Sequence, residues 1–318
     1  MRLGIDLGGT KTEAAVINDD GVVVWRHRIT TERQTYQTII QSLADLTQSA
    51  HQETGYDGAI GIAIPGRYDP SQQVIKGASL RLLNNKTFVA DVSAATNRPV
   101  RVANDANCFA LSEAKDGAGA GLNTVFGLIL GTGCGSGIVV NGQLMHGAHG
   151  IAGEYGHTPL PWPLDFEYQG HECWCGQTGC IETYISGPAM EKDYESRTGQ
   201  FLTAKEITET THMDLTAESV VQVYEDRLGR ALAQIINILD PDAIVLGGGL
   251  SNLDRLYQNI PRKWKNLVFA KEIKTPLLKA KHGDSSGVRG AAWLWPVNGS
   301  GHKDGSDHKK ENGGGNSD

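Results

Sequence analysis

No apolar run in the sequence approaches the length of a membrane-spanning helix, and Asp6, Lys11 and Glu13 interrupt anything resembling a secretory signal. A basic excess is also missing: 29 Lys and Arg against 36 Asp and Glu give a net charge of −7, with no basic stripe to follow a phosphodiester backbone. The expectation is therefore a cytoplasmic protein that binds neither membrane nor nucleic acid. Without a secretory signal, its five cysteines have no oxidising compartment in which to pair. Two common phosphate-binding signatures are absent as well. The segment Gly4 to Lys11 ends in Gly-Thr-Lys instead of Gly-Lys-Thr, and the turn at Gly131 lacks the last glycine of a dinucleotide fingerprint.

Glycine, by contrast, is abundant: 40 of 318 residues, clustered after apolar runs. That pattern suits a backbone that must approach ligands closely at several places. Leu3 to Leu7, the turn Gly8-Gly9-Thr10-Lys11 and Thr12 to Ile17 read as strand, turn and strand, continued by Val22 to Trp25 as an antiparallel meander. Tyr36, Ile39, Ile40, Leu43 and Leu46 recur at helical spacing over about four turns. Ala59 to Ile64 and Val100 to Ala103 are further strands, separated by an irregular polar stretch, and Ala106 to Lys115 suits a helix. Thr124 to Leu130, a glycine turn from Gly131 to Gly137 and Ile138 to Val140 then repeat the opening unit, which suggests two related lobes. A helix through Val221 to Leu239, a strand from Ala243 into Gly247-Gly248-Gly249 and a last helix from Gly287 follow. We expect an α/β protein with lobes at 1–117 and 118–286, the first completed by helix 287–296, and a disordered polar tail at 297–318.

At 318 residues the chain can bury a large core, and three groups of residues in it could do chemistry. The three glycine turns can each present backbone amides to anionic ligand atoms, although any one alone reads equally as a tight turn. Asp6, at a strand end before the first turn, could hold magnesium through water or simply bond the turn amides. Asp105 could serve as a general base or as the N-cap of the following helix. His157, Cys173, Cys175 and Cys180 have the composition of a closed tetrahedral zinc site, and a Cys-x-Cys pair is too tightly spaced for an easy mutual disulfide. Glu154 and Glu182 flank that group with no task of their own.

Four motifs in order supply a context: Gly4-Ile-Asp6-Leu-Gly8-Gly9-Thr10-Lys11, Asn104-Asp105-Ala106-Asn107, Glu154-x-Gly156-His157 and Cys173-x-Cys175-Gly-x-x-Gly179-Cys180-x-Glu182. Together they resemble the ROK family of sugar kinases and repressors, over everything but the tail. Within the family the chain most resembles bacterial fructokinases, including the run from His282 to Trp295. The resemblance implies a two-lobed, actin-like (ribonuclease H-like) ATPase fold and an ATP- and magnesium-dependent kinase acting on the 6-hydroxyl of a hexose. D-fructose is the expected sugar, with N-acetylglucosamine, or glucose and mannose, as the alternative. It further implies Asp105 as catalytic base and Asn104, Glu154, His157 and Glu182 as sugar-binding residues. By the same resemblance Asp6, Gly8, Gly9, Thr10, Lys11, Gly131, Thr132, Gly133, Gly247, Gly248 and Gly249 bind ATP. His157, Cys173, Cys175 and Cys180 match structural zinc ligands, and a homodimer is compatible with the reading. Family repressors carry an N-terminal DNA-binding domain, which has no room before Asp6. One departure bears on the sugar: many relatives carry asparagines where this chain reads Lys76-Gly77-Ala78-Ser79, and Ser79 offers one hydroxyl in place of an amide.

Overall fold

The computed structural model describes residues 1–295. Both stretches read as strand, turn and strand open a five-stranded sheet, and the two sheets share one topology. The first begins with the antiparallel meander β1 (Arg2–Leu7), β2 (Lys11–Ile17) and β3 (Val23–Thr30), then β4 (Ile60–Ile64). A separate two-stranded ribbon, β5 (Arg67–Asp69) with β6 (Val74–Lys76), precedes β7 (Val100–Asn104). The order is β3-β2-β1-β4-β7, with β1, β4 and β7 parallel. The second sheet holds β8 (Thr124–Leu130), β9 (Cys134–Val140), β10 (Gln143–Leu144), β11 (Ala243–Gly247) and β12 (Leu277–Lys279). Its order, β10-β9-β8-β11-β12, repeats the antiparallel meander followed by parallel strands. The internal repeat is thus a duplication of a whole sheet.

Helices cover each sheet. On the first, α1 (Tyr36–Thr54) starts at a capping box between Thr35 and Thr38, ends at Gly55 (φ +71°), and buries Tyr36, Ile39, Leu43, Leu46 and Ala50. It runs 19 residues, a turn longer than its apolar spacing indicates. The stretch read as irregular contains α2 (Phe88–Thr96) as well as the ribbon, and α3 (Asp105–Lys115) follows β7. The second sheet packs under α4 (Glu182–Ile185), α5 (Gly187–Thr198), α6 (Ala204–Thr210), the 25-residue α7 (Leu215–Leu239) and α8 (Asp254–Trp264). Asp214 caps α7 through the amides of Thr216 and Ala217, and Asp240 ends it in the left-handed region. No helix among the described residues is long and apolar enough to cross a membrane.

Two helices are exchanged between the sheets. α3, although it leaves the first sheet, packs Phe109, Ala110, Leu111 and Ala114 on Val125, Val139 and Val245 of the second. The last helix, α9 (Ser286–Trp293), follows the second sheet yet lies on β1 and β4 of the first and along α3. Such close packing needs missing side chains: a Cβ on Gly61 would overlap the carbonyl of Ala291, and one on Gly290 the carbonyl of Cys108. The second turn is also shorter than the glycines suggest, because Gly135 to Gly137 belong to β9. A side chain at Gly137 would press on Ala110 and Asn107 of α3, so these glycines serve helix packing. Residue 296 and the tail at 297–318 lie outside the described residues.

Candidate active site

Asp105 stands where β7 becomes α3, and the structure corrects one reading of it. The N-cap is Asn104, whose Oδ1 accepts the Asn107 N–H at 2.7 Å. Asp105 is the first helical residue, its Oδ1 taking the Ala106 N–H at 2.9 Å. Its carboxyl opens onto a cavity of about 280 Å³. Although it meets solvent there, the surrounding walls push its pKa above the ordinary value by desolvation, which the Ala106 amide partly offsets.

Asp6, at the end of β1, faces the same cavity and is pushed up from 3.8 to about 6, first by burial and then by the negative charges of Asp105 and Glu13. Two carboxylates on one cavity, each disfavoured as an anion by its surroundings, form the oxygen-rich, electron-rich donor set a hard divalent cation takes. A carboxyl with a raised native pKa holds its proton more tightly folded than unfolded. Its contribution therefore turns unfavourable as pH rises from about 4 through about 6, by on the order of 3 kcal/mol. Asp6→Asn should accordingly melt higher than the parent at pH 8, with the difference vanishing towards pH 4. Thermal melts of the two proteins across that range check the sign.

Gly247, Gly248 and Gly249 line the cavity too, beside Ile129, Phe109 and, from the chain's other end, Gly283, Ser286 and Gly287. Gly248 (φ +81°) runs against the Leu130 backbone, and Gly247 leaves space for Phe109. The other two turns do not line this cavity. The first is closed by the Gly8 N–H on the Lys11 carbonyl at 3.0 Å and buttressed by Thr31, whose hydroxyl donates to the Gly8 carbonyl at 2.8 Å. In the second, Gly131 accepts the Gly187 N–H at 2.8 Å, while Thr132 borders another cavity of about 230 Å³ with Trp174, Glu182, His171 and Lys192.

Of the flanking acidic pair, Glu182 borders the second cavity and Glu154 lines neither. Burial raises the pKa of Glu154; His157 and Arg67 pull it down while Asp105 and Glu182 push it up, so these charges share one neighbourhood. Glu182, the first residue of α4, accepts the Cys134 N–H at 2.9 Å with Oε2 and the Trp174 indole N–H at 2.7 Å with Oε1. It thereby ties the second glycine turn to the cysteine loop. Trp174 was missed in the sequence because it sits unremarked between two cysteines. Ser79 is set by its loop, where Gly77 is left-handed (φ +64°) and Asn84 brackets the backbone of Ala78.

The donor atoms of His157, Cys173, Cys175 and Cys180 lie within 4.8 Å of one another. Cys175 and Cys180 Sγ are 3.7 Å apart, and Cys173 Sγ is 3.5 Å from His157 Nδ1. A tetrahedron with zinc–sulfur and zinc–nitrogen bonds of about 2.3 and 2.05 Å has edges of about 3.8 and 3.6 Å. The residues fit zinc.

A family model described as ROK family matches residues 2–298. The chain belongs to the ROK family. It is 40% identical over 301 residues to an N-acetyl-D-glucosamine kinase of Pectobacterium carotovorum, covering 92% of this chain and 98% of that one. It is also 40% identical over 302 residues to one from Mannheimia succiniciproducens, at 93% and 99%. Among solved structures, a ROK hexokinase from Thermus thermophilus superposes with a TM-score of 0.83 at 30% identity, over 92% of this chain and 97% of that chain. A ROK family glucokinase from Streptomyces griseus, solved with glucose and AMPPNP, gives 0.73 at 28% identity, over 92% and 98%. The paired sheets are therefore the actin-like ATPase fold of ROK sugar kinases.

Proposed function

We propose that the protein transfers the γ-phosphoryl group of ATP to the 6-hydroxyl of a hexose. The observation that carries this reading is the meeting of Asp6, Asp105 and Gly247–Gly249 at one cavity, in a chain whose relatives are sugar kinases. Asp105 is the base. Its Oδ1 is occupied by the Ala106 N–H, which leaves Oδ2 to take the proton of the attacking hydroxyl. Asn104, Glu154, His157 and Glu182 orient the sugar. Gly9 to Lys11, and Thr132 with Gly133, offer amides to the phosphates, the Gly8 and Gly131 N–H groups closing their own turns, and Gly247 to Gly249 border the adenosine. Magnesium, when bound, would neutralise charge on the phosphates, and Asp6 would hold it through water. Two lobes, one built on each sheet with the helix it receives from the other, close on the sugar and exclude water that would compete for the phosphoryl group.

N-acetylglucosamine is the sugar we propose first, supported by the curated relatives that align over nearly the whole chain. This displaces fructose, the expectation from the sequence, to second place, where the run His282–Trp295 still supports it. A coupled assay over N-acetylglucosamine, fructose, glucose and mannose is expected to give the highest kcat/KM with the first. A preference for fructose would select the second reading, and turnover with no sugar would sink the kinase assignment.

A further inference from the structure

Glu113, two turns along α3 from Asp105, is completely buried and has no part in the chemistry described above. Four donors converge on it. Oε2 accepts the N–H groups of Ala118 and Lys281, both at 2.9 Å, and Oε1 accepts the His282 N–H and the Ser286 hydroxyl, both at 3.1 Å. Gly117 has no side chain because a Cβ there would strike the same carboxylate. One turn further, Asp116 adds contacts to His282, Arg289 and Trp293.

The segment held this way is a wall of the larger cavity: Lys279, Ala280, Gly283, Ser286 and Gly287 line it together with Asp6 and Asp105, and Gly287 lies against the Asp6 carboxylate. A single helix therefore carries the base at its first residue and, eight residues on, the anchor of a wall of the same cavity. We propose that Glu113 is a positioning residue that sets the 281–287 wall of the nucleotide cavity at its distance from Asp105. The proposal rests on the reading of that cavity as the ATP site. Because neither Glu154 nor Glu182 lines this cavity, losing the anchor perturbs ATP and leaves the sugar alone.

The test uses Glu113→Gln, which keeps the shape but turns an amide donor towards groups that are all donors, and Ser286→Ala, which removes one of the four contacts. ATP binding is measured by titration calorimetry with magnesium present, beside KM for ATP and for the sugar, and melting temperature. For Glu113→Gln the ATP dissociation constant and KM should rise about tenfold, with the sugar KM within about twofold of the parent. Ser286→Ala should shift ATP the same way by less, and the double variant should be no worse than Glu113→Gln alone, as expected for two groups acting through one contact. A lowered melting temperature with unchanged ATP binding in both variants overturns the proposal and makes Glu113 a purely structural anchor. ATP and sugar constants moving together also overturn it. A parent protein that binds no ATP would overturn the nucleotide reading itself, which separates that failure from this one.

Discussion

Asp105→Asn is expected to lower kcat by about 10²- to 10⁴-fold, the range a positioned general base supplies, while sugar and ATP still bind. The fold should survive, because the asparagine oxygen can go on accepting the Ala106 N–H and the N-cap belongs to Asn104. Stability should not fall either. The surroundings of Asp105 disfavour its charge, so the parent loses stability as pH rises above the ordinary carboxylate range, and a neutral amide escapes that loss. The substitution also removes a negative neighbour of Asp6, whose own pKa should drop below its present value of about 6. In the parent, the base works only when deprotonated, so kcat/KM should rise with pH along a limb set above the ordinary carboxylate value. The variant should lack that limb. Steady-state kinetics from pH 4.5 to 8, with binding isotherms for both substrates, decide the matter; a near-normal rate in the variant would end the assignment of Asp105.

Asp105 was legible because it ends an apolar strand between two asparagines, a local arrangement with only two common explanations. The sequence could not separate them, since choosing between cap and base requires knowing that Asn104 already fills the capping role. The duplicated sheets were legible for a similar reason: buried strands leave short continuous apolar runs bounded by glycine turns, a signal that needs no tertiary knowledge. The helices α2, α5, α6 and α8 left a weaker trace. α8 buries Leu256, Ile260 and Trp264 at helical spacing, but it carries Pro261 inside it, which in a sequence reads as a helix breaker. The cavity was hidden altogether, because Asp6, Asp105, Gly247 and Gly283 are brought together only by the exchange of α3 and α9 between sheets. The same exchange explains Glu113, an acid on a helix with nothing in its neighbours to say that it is buried. Sugar identity has the thinnest trace, since Gly77 and Ser79 change a loop conformation and one hydroxyl while the base and the turns stay as they are.

We propose that the Cys₃His group, whose geometry fits zinc, holds it; removing that metal should have the second large effect, felt where the loop carries Trp174 and Glu182. Cys180→Ser, or chelation of the parent, is expected to lower stability by several kcal/mol, since binding energy at a closed zinc site counts as folding energy. The first part of the loop between His157 and Cys180 is held independently, by buried Glu167 on Arg227 and Arg230 and by Leu160 in the core, so the loss falls on residues 171–180, where the isolated bridge Glu172 to Thr178 is the nearest approach to a sheet. Trp174, flanked by two of the cysteines, would release its bond to Glu182, and α4 begins at Glu182 only two residues after Cys180. The sugar KM should therefore rise about ten- to a hundredfold, the usual cost of disturbing groups that orient a site, while ATP binding changes little. Trp174 offers a direct reading: the residue is 75% exposed, and its ring stands perpendicular to that of His157 with centroids 4.8 Å apart. Loss of the metal should shift its fluorescence, and Trp174→Phe should remove that part of the signal. Elemental analysis fixes the zinc content of each sample before its melt and its sugar KM are measured. Full activity and an unchanged melt in protein shown to be free of zinc would mean that the four side chains hold the loop by themselves.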